Sequence, residues 1–370
     1  MFNRYAGKYL MNMATMLHVG RPNIGDRARL HRYLDDILDR QWLTNNGVLV
    51  KEFERRVAEL TGTQFCVATC NGTIALEIMA RALRLTGEVV VPSWTFIGTA
   101  HALTWVGLKP IFADIDAETW CIDPQAVEQV ITPTTTAILG VHLFGQFCDE
   151  HGLREVADRH NLRLLFDAAH TVGCCREGLA GDAEVLSFHA TKVCNSFEGG
   201  AIITDDNAVA DRARLLRNFG FLRKDTVGGV GMNGKMSEIH AAMGLVSLDR
   251  LDEFIAHNRR NYHLYCTHLA EVPVRVRQPA TNFHYVVLEV EDGRDELYWR
   301  LQNECIIARR YFYPGCHRSP PYDADPCQLP VTEDAAQRAL CLPTGLAISE
   351  GDIRRVCGVI RRWAEDTRIG

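Results

Sequence analysis

A lysine and an aspartate that could act together follow two apolar runs in the middle of the chain. Asp167 ends the run LRLLF (162–166), and Lys192 lies four residues beyond the run EVLSF (184–188). A carboxylate at the end of a buried strand must be paired or hydrogen-bonded, or it becomes neutral. A lysine held among small and apolar residues, here ATKVCNSF, can lose its charge and become nucleophilic. These residues predict a site where an amine attacks a carbonyl carbon while an acid faces a cationic group.

Buried strands have to position both residues. The runs LRLLF, EVLSF and AIIT are each bounded by glycine, aspartate or small residues, which is typical of strands covered on both faces. Polar residues stand where the runs end. Because ligands bind at the carboxyl ends of strands in open α/β sheets, we expect the acid, the lysine and nearby hydroxyl groups to meet in one crevice.

The rest of the chain extends this pattern into an α/β fold. Strand and helix patterns alternate from residue 65 to residue 204, which predicts a mostly parallel sheet with helices on both faces. Residues 21–60 contain two amphipathic helical patterns separated by an Asn-Asn-Gly signal at 45–47, which is either a surface turn or a loop that contacts substrate. The pattern changes near residue 270, with strands predicted over HYVVLEVED (284–292) and IIARRYFYPG (306–315). We therefore expect a large domain over 1–250 and a smaller α+β domain over 251–370.

Further polar and aromatic residues could complete the crevice. Gly72 and Thr73 stand at a predicted helix N-terminus, where free N–H groups favour an anion such as phosphate, although plain capping is the alternative. Ser187 offers a hydroxyl group. Phe96 follows the strand EVVVP and could stack on a ring, although most aromatic residues serve the core. His170 is open between a hydrogen-bonded core histidine and a catalytic one.

This set of residues matches the requirements of pyridoxal phosphate. The cofactor needs a lysine, an acid at its ring nitrogen, a phosphate cradle and a stacking surface. Lys192 and Asp167 would fill the first two roles, and the hydroxyl and helix-start residues the third. The sequence therefore predicts a pyridoxal phosphate site.

A glycine pattern elsewhere points to a different cofactor but lacks its context. Gly229–Gly234 satisfies G-x-G-x-x-G, yet no clean buried strand precedes it and the stretch about 20 residues on has a helical pattern. Met236 replaces the Ser or Thr that a phosphate-binding Walker motif requires. Neither a nicotinamide site nor a nucleotide triphosphate site is expected.

Composition excludes several other classes of protein. The net charge of −6 gives no general footprint for nucleic acid. No apolar run approaches the ~18 residues of a membrane span, and the first 20 residues lack a continuous secretory apolar core. The thirteen cysteines are scattered without metal-ligand spacing, so we expect reduced thiols, no metal and a cytoplasmic enzyme.

Longer stretches of the sequence resemble a known family. The segments CNGTIAL, VPSWTFIGTAHAL, GVHLFG, FDAAH, GDAEVLSFHATK, FEGGAIIT and NGKMSEIHAAMGL are similar to the DegT/StrS sugar-nucleotide aminotransferases of fold type I, the aspartate aminotransferase-like fold. Within that family the resemblance is strongest to the C4 aminotransferases of deoxysugar pathways, of the desosamine-pathway type. Such enzymes transfer an amine from L-glutamate to dTDP-4-keto-6-deoxyglucose.

The resemblance implies a role for each candidate residue. Lys192 would form the Schiff base with pyridoxal phosphate, Asp167 would pair with the pyridine nitrogen, and Phe96 would stack on the ring. Gly72, Thr73 and Ser187 would hold the phosphate. Asn233 would reach the cofactor phosphate of a neighbouring subunit, which implies a homodimer with shared sites. His170 replaces the glutamine that is more usual after DAA, a change that recurs in the C4 group.

The resemblance also implies where the nucleotide sugar binds. Arg309, Arg310, Tyr311 and His317 lie in a stretch whose family counterpart faces the substrate, and arginine forks suit a diphosphate. A solvated arginine pair on an edge strand is the alternative. Two related activities also stay open, transamination of a 3-keto sugar and dehydration of a sugar. Dehydration is the reaction of relatives that lack the lysine. The presence of Lys192 disfavours dehydration.

Overall fold

A computed structural model of the chain describes residues 16–176, 178–323 and 328–369. The expectation that the N-terminus carries no secretory segment concerns residues that lie mostly outside this described part. The first half of the chain forms these elements in order: β1 (Leu17–His18), α1 (Arg27–Arg40), α2 (Val48–Thr61), β2 (Phe65–Thr69), α3 (Gly72–Ala82), β3 (Glu88–Pro92), α4 (Ile97–Trp105), β4 (Lys109–Ala113), α5 (Pro124–Val130), β5 (Thr135–Val141), α6 (Glu150–His160), β6 (Arg163–Asp167) and β7 (Ala183–Ser187).

The second half continues with shorter strands and longer helices. Its elements are β8 (Gly200–Thr204), α7 (Asn207–Leu216), β9 (Phe221–Arg223), β10 (Thr226–Val227), α8 (Glu238–Leu248), α9 (Leu251–Leu269), β11 (Arg275–Val276), β12 (Val286–Glu289), α10 (Arg294–Asn303), β13 (Ile306–Ile307), α11 (Pro330–Arg338), β14 (Ala339–Leu342) and α12 (Glu350–Ile369).

A seven-stranded sheet forms the centre of the molecule. Its strand order is β2-β8-β7-β6-β5-β3-β4, and every neighbouring pair is parallel except the two pairs made by β8. The carboxyl ends of β5, β6 and β7 therefore meet at one edge of the sheet. The fold is α/β with a mostly parallel sheet and crossover helices, as the alternating sequence pattern predicts.

Helices cover both faces of this sheet, which explains the continuous apolar runs. Along β5, Ile138 packs into one buried cluster while Ala137 and Leu139 pack into another on the opposite face. The residues of β7 and β8 are buried without exception. Because neither face is open to water, a polar residue in these strands can reach a ligand only at a strand end.

Residues after α8 form a second, smaller sheet with its own apolar cluster. Strands β11, β12 and β14 pair antiparallel, and α10 and α12 pack against them. Helix α9 bridges the two regions, since Phe254 packs with the large sheet while Tyr265 packs with the small one. Leu17 also packs in the smaller cluster. The division into 1–250 and 251–370 stays a prediction.

The strand expected over IIARRYFYPG is much shorter than predicted. Only Ile306–Ile307 form a strand, and their parallel partner is β1, almost the length of the chain away. Beyond them the chain is irregular, apart from a bridge between Arg309 and Cys341. Tyr311 and Phe312 of this segment pack against the apolar cluster of the large sheet, and the strand does not extend to them.

A buried glutamate from one helix caps another. Helix α2 begins after Gly47, which has no side chain to bind the first N–H groups of the helix. Glu238 of α8 accepts hydrogen bonds from Leu49 N at 3.2 Å and from Val50 N at 2.9 Å. A Cβ on Gly47 would lie 2.4 Å from the carboxyl carbon of Glu238, so glycine is required for this approach. The Asn-Asn-Gly signal is therefore a turn that starts a helix.

Glu238→Ala should destabilise the fold because it leaves the N–H groups of Leu49 and Val50 buried without acceptors. We expect the free energy of unfolding to fall by about 1–3 kcal/mol, measured by urea denaturation. Glu52 of α2, whose side chain is half-buried and, among the described residues, binds only the partly exposed Arg55, provides a control, and Glu52→Ala should change stability by less than about 0.5 kcal/mol. Equal effects of the two substitutions would contradict this account.

Candidate active site

A cavity of about 380 Å³ opens at the carboxyl edge of the large sheet. Val141, Asp167 and Ser187, the last residues of β5, β6 and β7, line it. The start of α3 forms another wall, and Tyr285, Arg309, Tyr311 and Phe312 close the cavity from the side of the smaller sheet. The crevice expected at the strand ends is therefore present.

Asp167 is buried at the end of β6 and is held by two hydrogen bonds. Thr99 Oγ1 donates to Oδ2 at 2.8 Å, and the N–H of Ala169 donates to Oδ1 at 3.1 Å. Burial raises the pKa of Asp167, while these two hydrogen bonds and the charge of Lys192 oppose the rise. The carboxylate is thus fixed in orientation and is stabilised by any cation placed before it.

Lys192 shares the cavity with Asp167. The loop that follows β7 carries it, and Lys192 N donates to His189 O at 2.9 Å. Although part of the residue is open to the cavity, the surrounding protein desolvates its amine, and this burial lowers the pKa of Lys192 to about 8. The charge of Asp167 raises it and only partly offsets the effect. About a tenth of the amine is therefore neutral and nucleophilic at pH 7, a far larger share than for a lysine with the ordinary pKa.

The start of α3 forms a cradle of backbone N–H groups beside Ser187. Asn71 is the N-cap, and its side chain accepts from Ile74 N at 2.8 Å. The N–H groups of Gly72 and Thr73, which come before Ile74, have no intrahelical acceptors because they lie in the first turn. A Cβ on Gly72 would lie 3.6 Å from the Ser187 hydroxyl oxygen. Gly200 is required for this packing, because a Cβ at this position would lie only 2.4 Å from the Asn71 carbonyl oxygen. The cradle has the chemistry of a phosphate site.

His170 lines the cavity as a neutral ring. Its Nδ1 accepts from Phe144 N at 3.1 Å, and its carbonyl accepts from Asn282 Nδ2 at 2.8 Å. Burial and the charges of Lys192 and His284 hold the pKa of His170 well below its usual range. The ring is parallel to that of Phe312, with centroids 6.2 Å apart. His170 therefore makes a hydrogen bond within the core and also lines the cavity.

Phe96 offers an aromatic face at the mouth of the cavity. It is the N-cap residue of α4, is 59% exposed, and lies 6.3 Å from Phe312 between ring centroids. A large apolar side chain this exposed next to a cavity has no core role. Its position suits contact with a flat ring.

The arginine pair divides between two neighbouring clefts. Arg309 and Tyr311 line the main cavity. Arg310 lines a second cleft of about 320 Å³, where Asp295 binds it at 3.0 Å and its guanidinium lies 4.4 Å from the centroid of Tyr298. The two clefts share Phe96, Arg309 and Tyr311, so a long ligand could occupy both.

His317 does not face either cleft, contrary to the expectation that it binds substrate. It is buried, with Nδ1 at 2.5 Å from Ser93 Oγ and Nε2 at 3.1 Å from Glu333 Oε1. Both ring nitrogens are occupied by protein groups. His317 therefore fastens the segment that carries Arg309 to the end of β3 and to α11.

Asn233 does not line the cavity. It is exposed, and its Oδ1 accepts from Lys235 Nζ at 2.6 Å. The glycine pattern around it follows the β9–β10 hairpin and lies outside the cavity lining, so it is no dinucleotide cradle. The other sequence-derived candidates, Gly72, Thr73, Phe96, Asp167, His170, Ser187, Lys192, Arg309 and Tyr311, line the cavity together.

Sequence reasoning missed two polar contributors to the site, Thr99 and Glu198. Thr99 lies three residues after Phe96, and residues at this spacing share one face of a helix. The sequence therefore contained a signal that would have placed Thr99 at the cavity with Phe96. His189 and Glu198 line the mouth, with His189 Nε2 at 3.5 Å from Glu198 Oε1. Phe197, which precedes Glu198, adopts a positive φ of 62°, a backbone conformation that the sequence pattern does not indicate.

One group of metal-ligand side chains occurs in the described part of the chain, away from the cavity. His142, Glu150 and Glu184 bring one ligand atom each within 4.8 Å of one another. Arg176 lies among them and donates to both oxygens of Glu184 at 2.7 Å. A protein cation therefore already neutralises this cluster.

The fold and the paired Lys192 and Asp167 define the class of pyridoxal phosphate-dependent enzymes. No described arginine forms an ion pair with the buried acid, the amine is partly neutral, and the cradle can hold a phosphate, so these residues fit the cofactor. The profile of the DegT/DnrJ/EryC1/StrS aminotransferase family matches residues 25–361, and the chain belongs to this family. It is a pyridoxal phosphate-dependent aminotransferase.

Named relatives and solved structures agree with this assignment. The chain is 35% identical over 367 residues to the dTDP-4-amino-4,6-dideoxy-D-glucose transaminase of Shigella dysenteriae, covering 94% of this chain and 99% of that protein. A crystal structure of DesI in the presence of its TDP-sugar product superposes with a TM-score of 0.92 at 50% identity, covering 95% and 94% of the two chains. The structure of ntda from Bacillus subtilis with bound cofactor PMP has a TM-score of 0.83 at 28% identity, covering 90% and 82%.

The comparisons confirm the family resemblance, the fold type and the cofactor expected from the sequence. None of the helices in residues 16–176, 178–323 and 328–369 has the length and apolar character needed to cross a membrane. The roles assigned to individual residues stay predictions.

The lowered pKa of Lys192 predicts how the cofactor-free protein captures pyridoxal phosphate. Below pH 8 the protonated amine cannot attack, so we expect the covalent capture rate to rise about tenfold per pH unit and to level off above pH 8. Borohydride reduction followed by mass analysis of the Lys192 peptide measures this rate. A rate that keeps rising to pH 10, as for an ordinary lysine, would contradict the prediction.

Proposed function

We propose that this aminotransferase moves an amine from L-glutamate to C4 of a nucleotide-linked 4-keto-6-deoxy sugar, most specifically dTDP-4-keto-6-deoxyglucose. The observation that carries the proposal is the shared cavity of a desolvated Lys192 and a buried Asp167 at the ends of neighbouring strands. The names of the relatives from Shigella dysenteriae and Escherichia coli and of DesI support the sugar class. We place the reaction in the cytoplasm, because the twelve described cysteines are free thiols.

Lys192 is the proposed catalytic base and acid. Bound pyridoxal phosphate supplies an electron sink that stabilises negative charge on the carbon bearing the amine. In the first half-reaction, Lys192 Nζ would take the α-proton of glutamate, water would then release 2-oxoglutarate, and the amino group would stay with the bound cofactor. In the second, the same amine delivers a proton to C4 of the sugar, whose carbonyl oxygen leaves as water. A pKa of about 8 suits both directions of transfer.

Asp167 and the cradle hold the cofactor in the proposed arrangement. Asp167 would bind the ring nitrogen, where a positive charge also relieves the burial of the carboxylate. Gly72, Thr73 and Ser187 would bind the phosphate at the start of α3. Phe96 and His170 would contact the ring. The neutral ring of His170 can lie near a protonated cofactor without repelling it.

The rim of the cavity would bind the nucleotide sugar. Arg309 and Tyr311 stand at the cavity, and Arg310 stands in the adjoining cleft. Guanidinium groups bind phosphate oxygens through paired hydrogen bonds, so two arginines across adjoining clefts suit a diphosphate. His317 contributes only by holding this segment in place.

We propose a homodimer whose subunits complete each other's sites. Apolar side chains are exposed on and around the β9–β10 hairpin, including Phe219, Leu222 and Val230, the last at 87%. A patch of this kind on a surface hairpin is typical of an interface. Asn233 lies next to it and outside its own cavity, which supports binding to the partner subunit's cofactor phosphate.

Incubation with a panel of keto sugar nucleotides and L-glutamate tests the proposed reaction. We expect an amine at C4 of dTDP-4-keto-6-deoxyglucose and one 2-oxoglutarate per amino sugar, measured by mass spectrometry and NMR. Lys192→Ala should bind the cofactor but lower turnover by at least about 10³-fold, because the group that moves the proton is lost. An amine at C3, a dehydrated sugar, or near-normal turnover by Lys192→Ala would each contradict the proposal.

Mixed dimers test the proposed sharing of sites. Asn233→Ala alone should lower activity about tenfold by removing a hydrogen bond to a charged phosphate. A heterodimer of one Lys192→Ala subunit and one Asn233→Ala subunit, purified through two different tags, should regain about half of the wild-type activity, because one of its two sites is intact.

The same experiment excludes action within one subunit. If Asn233 served its own subunit, both sites of the heterodimer would be damaged and activity would stay at the level of the single variants. A heterodimer that contains Asn233→Ala and a wild-type subunit serves as the positive control.

A further inference from the structure

The reaction proposed above imposes a constraint on the cavity. One site must accept two anionic ligands in turn, the dicarboxylate donor and the nucleotide diphosphate sugar. In each ligand an anionic group is separated from the reacting carbon by a short neutral spacer, which is two methylene groups in glutamate and the sugar ring in the acceptor. When the reacting carbon is at Lys192, the side-chain carboxylate of glutamate and the diphosphate of the nucleotide sugar would both lie near the rim of the same cavity.

The cavity offers few positive charges for these groups. Among the described residues that line it, Lys192 is the only lysine and Arg309 the only arginine. Asp167 and Glu198 are its acidic residues. Lys192 is engaged in the chemistry. Arg309 is therefore the permanent cation that this protomer places at the cavity.

Arg309 is positioned as a receptor rather than as a structural ion pair. Its backbone is fixed to Cys341, with Arg309 N donating to the Cys341 carbonyl at 3.0 Å and Cys341 N donating back at 2.8 Å. Its guanidinium lies 5.2 Å from the ring centroid of Tyr311 and makes no ion pair with a described carboxylate. The backbone is thus held while the charged fork stays available to a ligand.

Arg310, one residue later, has the opposite environment. Asp295 binds its guanidinium, and the rings of Tyr298 and Tyr313 lie 4.4 Å and 5.2 Å from it. It lines the adjoining cleft but not the main cavity. A ligand as short as glutamate that reaches Lys192 would stay in the main cavity, whereas the longer nucleotide sugar would extend into the adjoining cleft.

We propose that Arg309 is the common anion receptor of both half-reactions, binding the side-chain carboxylate of the donor in one and a phosphate of the nucleotide sugar in the other. This inference rests on the proposed function. Arg310 then serves the nucleotide sugar alone. The two adjacent arginines therefore divide substrate recognition into a shared part and a specific part.

Binding measurements on inactive protein test this division. Lys192→Ala protein loaded with pyridoxamine phosphate is titrated by calorimetry with 2-oxoglutarate and, separately, with dTDP-glucose, which has no ketone. Adding Arg309→Gln should weaken both ligands by about ten- to hundredfold, the loss expected for a charged hydrogen bond. Adding Arg310→Gln should weaken dTDP-glucose alone and change 2-oxoglutarate by less than about twofold.

Further readouts separate this role from a structural one. Arg309→Lys should recover part of the binding of both ligands, and the cofactor absorbance should be the same in every variant. With Lys192 intact, Arg309→Gln should raise the KM for glutamate and for the keto sugar nucleotide together. If Arg309→Gln weakens one ligand only, or neither, the inference is overturned although transamination by the wild-type enzyme stands. If the wild-type enzyme transfers no amine from glutamate to any nucleotide sugar, the proposed function fails instead.

Discussion

The opposite effect of burial on an amine and a carboxyl group is the constraint on which the site depends. Burial lowers the pKa of Lys192 to about 8 and raises the pKa of Asp167, so each residue is driven toward its neutral form. Their mutual attraction opposes both shifts but removes neither. A ligand with an electrophilic carbon for the amine and a positive ring nitrogen for the acid satisfies both at once, and pyridoxal phosphate is such a ligand.

The sheet creates this environment because of how its strands are covered and ordered. β6 and β7 are buried along almost their whole length, so Asp167 and Ser187 become accessible only where the strands end. β8 lies antiparallel between β7 and β2 and brings Gly200 against the residues that start α3. This close packing places a helix N-terminus, and hence a phosphate cradle, beside the end of the strand that precedes the lysine.

Local sequence patterns carried enough information to predict the large sheet and the centre of the site. The apolar runs around Asp167 are short, bounded by small residues and followed by polar groups, and this is a local property of buried strands. The failures involve contacts between distant residues. β13 forms only where Ile306 pairs with Leu17, and nothing near either residue indicates that pairing. His317 has two polar partners, Ser93 and Glu333, of which the first is 224 residues away, so its orientation cannot be read from its own segment.

The arginine pair shows why residue type alone does not define a binding site. In an extended segment successive side chains point in opposite directions, so neighbours of identical chemistry enter different surroundings. The bridge to Cys341 fixes the direction of Arg309, and Asp295 of α10 binds Arg310 on the other side. Arg309 thereby has no counter-ion among the described residues, while Arg310 is balanced by the carboxylate of Asp295 in the adjoining cleft. The small sheet thus contributes to recognition because its strand β14 holds Arg309 at the cavity that contains Lys192, while Asp295 of α10 binds Arg310 outside that cavity.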